Sequence, residues 1–163
     1  MARSMYADRQ VRLSRRDLMA WTAVGAATLA LPGTLAATPA FATADQVGAE
    51  IKKLYGDKKL TEGKIKLDLP SIAENGLVVP LTFEVESPQT DKDYVKAVHI
   101  FSEGNPSPGI ASFRFSSRSP KAAAAIRIRL AQTQNVIAIA EMSNGELFTA
   151  KKEVKVTIGG CGG

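Results

Sequence analysis

The chain is poor in the residues from which most active sites are built. Its 163 residues hold one cysteine, one histidine and one tryptophan. A single cysteine excludes an internal disulfide and any zinc or iron–sulfur site made of several thiolates. A single histidine excludes a His-rich metal centre. No strand-like run is followed by a glycine pattern that would cradle phosphate. What the chain does have is a globular composition, with 45% hydrophobic residues and a length that suits one domain. Its 21 basic against 16 acidic side chains give a net charge of +5. Such a balance points to nucleic acid or an anionic membrane only if the charge belongs to the folded part.

Much of it does not. Arg3, Arg9, Arg12, Arg15 and Arg16 crowd the first seventeen residues against Asp8 and Asp17, and the weakly apolar run Leu18 to Leu31 follows. That run is short for a membrane span, which takes roughly 20 apolar residues, and suits the middle region of an export signal. Pro32 ends it, and small-residue cleavage patterns stand at Ala40-Phe41-Ala42 and Ala42-Thr43-Ala44. Ser14-Arg15-Arg16-Asp17-Leu18-Met19 resembles the twin-arginine export signature, with Arg15 and Arg16 as the pair; an ordinary secretory signal with two chance arginines is the alternative. Residues 1–44 are therefore expected to be a cleaved signal, with the cut after Ala42 or Ala44, and the mature protein to be periplasmic with no membrane anchor. The remaining 119 residues carry 16 basic and 14 acidic side chains, net +2. The case for nucleic acid loses its main support. Because the twin-arginine route moves folded proteins, a signal without an apparent cofactor also fits export in complex with a partner that has no signal of its own.

Residues 45–158 read as an all-β domain with one short helix. Val47, Ile51, Leu54 and Tyr55 recur at helical spacing over Asp45 to Tyr55, and Gly56 supplies a stop. The period then changes to two. Lys64–Leu69 alternates, and Leu77–Glu86 does so with Leu77, Val79, Leu81, Phe83 and Val85 on one face. Asn75-Gly76 marks a turn between them, and Pro80 predicts an edge position or a bulge. Tyr94–Phe101, Ile110–Phe115, Ala125–Leu130, Val136–Met142 and Glu146–Ile158 complete about seven strands, the last two as a hairpin around Asn144-Gly145. The pattern predicts an immunoglobulin-like antiparallel β-sandwich. The alanine-rich start at Lys121–Ala125 could open a helix, but the alternation at Ile126-Arg127-Ile128 favours a strand.

Within that domain conventional chemistry is scarce. His99, inside a strand, reads as a half-buried sheet histidine, because a catalytic base needs a nucleophile beside it and only one is in prospect. Asp91-Lys92-Asp93 reads as a solvated turn, with a calcium site as the alternative. Arg127 and Arg129 form a solvated face or an anion- or partner-binding stripe. Val95, Ala97 and Phe101 fit either a partner surface or a second core layer.

The C-terminus is different. An alternating strand stops at Ile158 and becomes Gly159-Gly160-Cys161-Gly162-Gly163. Glycines without side chains have nothing to bury, so residues 159–163 are expected to form a flexible arm. From Ile158 to Cys161 it spans at most about 10 Å. A lone cysteine in an exported protein is reactive or intermolecular unless it is incidental. No histidine neighbours Cys161 in sequence and no helix start precedes it, so nothing local would generate its thiolate. It is poorly equipped to catalyse and well suited to be threaded into another protein's active site.

The terminal Gly159-Gly160-Cys161-Gly162-Gly163, the signal at Ser14 to Met19 and the β-rich domain between them together resemble the SoxY family, the sulfur-carrier subunits of bacterial thiosulfate oxidation. The resemblance implies an immunoglobulin-like fold, a stable heterodimer with SoxZ, no cofactor and no metal of its own, and no enzymatic activity. It implies that Cys161 is the covalent attachment site. A c-type cytochrome enzyme would conjugate thiosulfate to the thiol, a dimanganese sulfate thiohydrolase would release sulfate, and in many such organisms a sulfane dehydrogenase would oxidise the sulfur that remains. Three other readings stay open at this point: a diglycine carrier bearing sulfur on the carboxyl of Gly163, a thiol enzyme using Cys161, and a plain periplasmic interaction module.

Overall fold

The computed structural model describes residues 41–158. The expected signal arginines, Arg15 and Arg16, and the arm residues Gly159, Gly160, Cys161, Gly162 and Gly163 lie outside the described residues. The described chain runs as one helix, α1 (Ala44–Tyr55), then β1 (Leu60–Glu62), β2 (Ile65–Asp68), β3 (Ile72–Ala73), β4 (Val79–Val85), β5 (Val95–Ser102), β6 (Gly109–Arg114), β7 (Ala122–Ile128), β8 (Gln134–Met142) and β9 (Leu147–Val156).

The strands form two sheets. The larger has the order β1-β9-β8-β5-β6, with β3 also pairing β9, and the smaller has the order β2-β4-β7. All pairings are antiparallel except those of β1 and β3, which lie parallel to β9 near its two ends. The predicted sandwich is present, and the seven expected strands correspond to β2 and β4–β9. Two further strands, β1 and β3, have no alternation of their own. They are three and two residues long and owe their extended state to pairing with β9.

The main core fills the space between the sheets. Val79, Leu81, Phe83 and Val85 of β4 point inward in strict alternation, and Val98, Ile100, Val136, Ala138, Ala140 and Val154 meet them from the larger sheet. Phe83 has no exposed surface and lies edge-on to Phe113 and Phe115, at ring separations of 5.0 and 6.4 Å.

A second cluster lies on the opposite face of the larger sheet. There Val47 and Tyr55 of α1 cover Phe101, Ile137, Ile139 and Leu147. This explains the unbroken apolar run Val136-Ile137-Ala138-Ile139-Ala140, since β8 is covered on both faces. Phe101 thus belongs to a second core layer. Val95 does not share its face, because an irregularity in the β5–β8 register between Val95 and Ala97 turns Val95 into the main core.

The local signals at the ends of elements act as expected, with small corrections. α1 starts at Ala44 rather than Asp45, and Thr43 caps it in a reciprocal box with Gln46. Gly56 ends it with φ +68° and donates its N–H to the Lys52 carbonyl at 2.7 Å. Leu54, expected on the buried face, stays 47% exposed. Asn144 and Gly145 turn the β8–β9 hairpin, Gly145 at φ +85°. Pro80 sits in the middle strand of its sheet, not on an edge strand. It pairs with Arg127 of β7, but β2 stops pairing at Thr82, so the other flank of β4 is open at Pro80 and its missing N–H interrupts no ladder there. Leu77, expected to continue the inward face, precedes the strand and is 47% exposed.

Candidate functional site

β9 carries the chain to its C-terminus, and its last residues are firmly held. Lys155 N–H donates to the Ser71 carbonyl at 2.9 Å, and Val156 N–H to Thr133 Oγ1 at 3.0 Å. Thr157 N–H reaches the Ala73 carbonyl at 3.1 Å, while its hydroxyl donates to the Glu74 carbonyl at 2.9 Å. The Ile158 carbonyl accepts from Gly76 N–H at 2.9 Å. The segment 71–76, between β2 and β4, thus works as a clamp on the end of β9. Its turn is shaped by Asn75, whose side-chain oxygen accepts from Leu77 N–H at 2.8 Å.

The clamp makes the exit of β9 an apolar shoulder. Ile72, Leu77, Val78 and Ile158 are 57, 47, 56 and 68% exposed, and they are four of the five large hydrophobic side chains exposed among the described residues. Sequence reasoning did not find this feature. The available signal was the triplet Leu77-Val78-Val79, which breaks the two-residue alternation beside the Asn75-Gly76 turn. Cys161 lies three residues beyond Ile158 in the sequence.

His99 occupies a second, separate place. It projects from the outer face of the larger sheet, edge-on to Tyr55 and stacked on Phe101 at 5.8 and 6.3 Å between rings. The hydroxyl of Ser112 lies 3.2 Å from its Nδ1, a neighbour that the sequence did not announce. Burial lowers the imidazole pKa; the Glu141 carboxylate opposes this and the Arg114 guanidinium adds to it. Burial, with the same carboxylate, pushes the Tyr55 phenol well above its ordinary value. The Glu141 carboxylate is itself engaged by Lys96 at 3.0 Å and is not bonded to the ring. The cluster therefore reads as a half-buried sheet histidine, as expected.

Its depressed pKa has a measurable consequence. The unfolded chain takes up the proton at about pH 6.5 and the folded chain only at lower pH. This histidine's contribution is therefore fully present above about pH 6.5 and is lost as pH falls from there through the folded-state pKa. Urea unfolding between pH 5 and 8 should show the decline, and His99→Gln should flatten it. An equal slope in the variant would exclude His99 as its source.

Other charged groups found in the sequence are surface features. Arg127 and Arg129 are exposed. Asp93 closes a local turn with Thr90. Among the described residues no group of three His, Cys, Asp or Glu could hold a metal ion.

Residues 51–161 match the sequence model of the family described as Sulfur oxidation protein SoxY. The chain belongs to the SoxY family. The structure agrees with that placement. It is similar to the sulfur carrier protein SoxY from Chlorobium limicola f thiosulfatophilum, at 33% identity and a TM-score of 0.61, over 71% of this chain and 100% of that one. A superoxide reductase (neelaredoxin) from Ignicoccus hospitalis matches at 19% identity and a TM-score of 0.52, over 71% of this chain and 94% of that one. At that identity the likeness concerns the fold alone. A search of curated proteins returned no match. The SoxY match extends through the end of β9 to Cys161.

Proposed function

We propose that this protein carries sulfur covalently on Cys161 through the steps of thiosulfate oxidation, and that other proteins act on the sulfur it holds. One observation carries the reading. The SoxY match ends on the only cysteine of the chain, three residues past Ile158, the last residue that the clamp holds. Because the chain is anchored through β9 and on to Ile158, the domain can be grasped as a rigid handle while the glycine-flanked thiol enters an active site. The chain has no cysteine to resolve a disulfide and no histidine beside Cys161 in sequence, so activation of the thiol falls to the enzyme.

The chemistry balances as two steps. In the first, the thiol and thiosulfate join through a new S–S bond, releasing one proton and passing two electrons to a c-type cytochrome enzyme. In the second, water attacks the terminal sulfonate sulfur. Sulfate leaves with two protons, and a persulfide stays on Cys161; this suits a dimanganese thiohydrolase. A sulfane dehydrogenase would take six electrons from the outer persulfide sulfur, with three waters supplying its oxygens and six protons released; hydrolysis of the resulting sulfonate would free sulfate and return the thiol. The protein is then a substrate of each enzyme, and tethering keeps the intermediate at a high effective concentration. The twin-arginine-type signal supports export to the periplasm, in complex with SoxZ as the partner that lacks a signal.

Intact-mass analysis of the exported protein from thiosulfate-fed cells tests the proposal. It should show an added S2O3 unit and an added sulfur atom, both mapping to Cys161 and both removed by reductant. Sulfur on the Gly163 carboxyl, or an unmodified thiol throughout, would overturn it.

A further inference from the structure

The two small-residue patterns before α1 leave two bonds open to a signal peptidase, after Ala42 and after Ala44. We infer that the fold selects the first, so that Thr43 is the first residue of the exported protein. The inference rests on twin-arginine export, in which the peptidase meets a domain that is already folded.

The two bonds stand in different backbone. Thr43 is extended, at φ −96° and ψ 166°, and Ala44 opens the helix. A protease holds its substrate as an extended strand across the bond that it cuts. The bond between Ala42 and Thr43 lies outside α1. The bond between Ala44 and Asp45 lies in its first turn, which the Val47 N–H closes onto the Thr43 carbonyl at 3.0 Å. Reaching it would unwind that turn and strain the seat of Val47, which is 1% exposed under the larger sheet.

Both patterns include Ala42, so either cut must first lift that residue. Ala42 is 2% exposed, and its N–H donates to the Asn105 carbonyl at 2.7 Å. Its loss leaves Asn105 well held. The Asn105 side chain still donates to the Arg129 carbonyl at 2.8 Å and accepts from Ala131 N–H and the Gln134 amide at 2.9 and 3.0 Å.

Hydrolysis after Ala42 adds hydroxyl to the Ala42 carbonyl and hydrogen to the Thr43 nitrogen. The new N-terminus keeps the whole capping box. Gln46 N–H still donates to Thr43 Oγ1, at 3.4 Å, and the Thr43 nitrogen still donates to Gln46 Oε1, at 3.2 Å. Hydrolysis after Ala44 discards Thr43, and with it both capping bonds and the carbonyl that Val47 uses.

The full chain, produced with its own signal in a host that exports twin-arginine substrates, provides the test. N-terminal sequencing of the exported protein should begin at Thr43. Ala44→Gln spoils only the second pattern and should leave that start unchanged. Ala40→Gln spoils only the first and should accumulate precursor. A purified form beginning at Asp45 should melt roughly 3–6 °C below one beginning at Thr43. An exported protein that begins at Asp45 or upstream of Thr43, or equal melting of the two forms, overturns the boundary while export stands. A full-length precursor retained in the cytoplasm refutes the export reading and this boundary with it.

Discussion

Replacing Cys161 with serine should lower thiosulfate-dependent sulfate formation to that of a strain lacking the protein. The argument is chemical. Conjugation needs a sulfur that ionises near neutral pH and forms a bond to a second sulfur at modest potential. A serine hydroxyl does neither, and the chain has no second cysteine to take over. The same substitution should change unfolding free energy by no more than about 0.5 kcal/mol, the usual range for a site away from the core. Both clusters that hold the domain together are built from residues between Val47 and Val156. Growth rate on thiosulfate and a urea melt of the purified protein check the two halves. Unimpaired thiosulfate oxidation in Cys161→Ser would remove the carrier reading. A marked loss of stability would show that Cys161 serves the fold instead.

Much of this was legible in the sequence, because it is written in local patterns. The two-residue alternation of β4 is visible since one face of its sheet is solvated and the other buried. The stop at Gly56 and the hairpin at Asn144-Gly145 need only the backbone freedom of glycine at positive φ. The cysteine among terminal glycines is likewise a local signal that no fold is needed to read.

What escaped depends on contacts distant in sequence. β1 and β3 are strands only because β9 is beside them. The neighbourhood of Ser112 and His99 exists because β5 and β6 pair in that register. The apolar shoulder assembles because segment 71–76 folds back to clamp the exit of β9, which no periodicity announces. Pro80 occupies an open flank inside a middle strand for a related reason. Whether a proline interrupts a ladder depends on where the neighbouring strand ends, and β2 ends at the residue paired with Thr82.

The opposite phenotype is expected from Phe83→Ala. Phe83 sits midway along β4, between Leu67 of β2 and Ala124 of β7, and from the small sheet it meets Phe113 and Phe115 across the sandwich. Truncation removes the whole of a fully buried ring and both edge-on aromatic contacts. Its closest partner in register on one side is an alanine, which cannot expand into the space. The expected loss is about 3–5 kcal/mol, a large share of the roughly 5–15 kcal/mol that holds such a domain together. The melting temperature should fall by roughly 10–25 °C. Phe83→Leu, which keeps most of the volume, should lose less than half as much. A loss below about 1 kcal/mol for the alanine variant would mean that the sheets do not meet around this ring. Below its lowered melting point Phe83→Ala should still accept sulfur on Cys161, molecule for molecule, because the substitution leaves Cys161 and the residues at the exit of β9 unchanged. Cys161→Ser should keep full stability and accept none. Together the two variants separate two tasks: the sandwich holds the end of β9 in place, and the proposed carrier role asks the thiol beyond it to hold the sulfur.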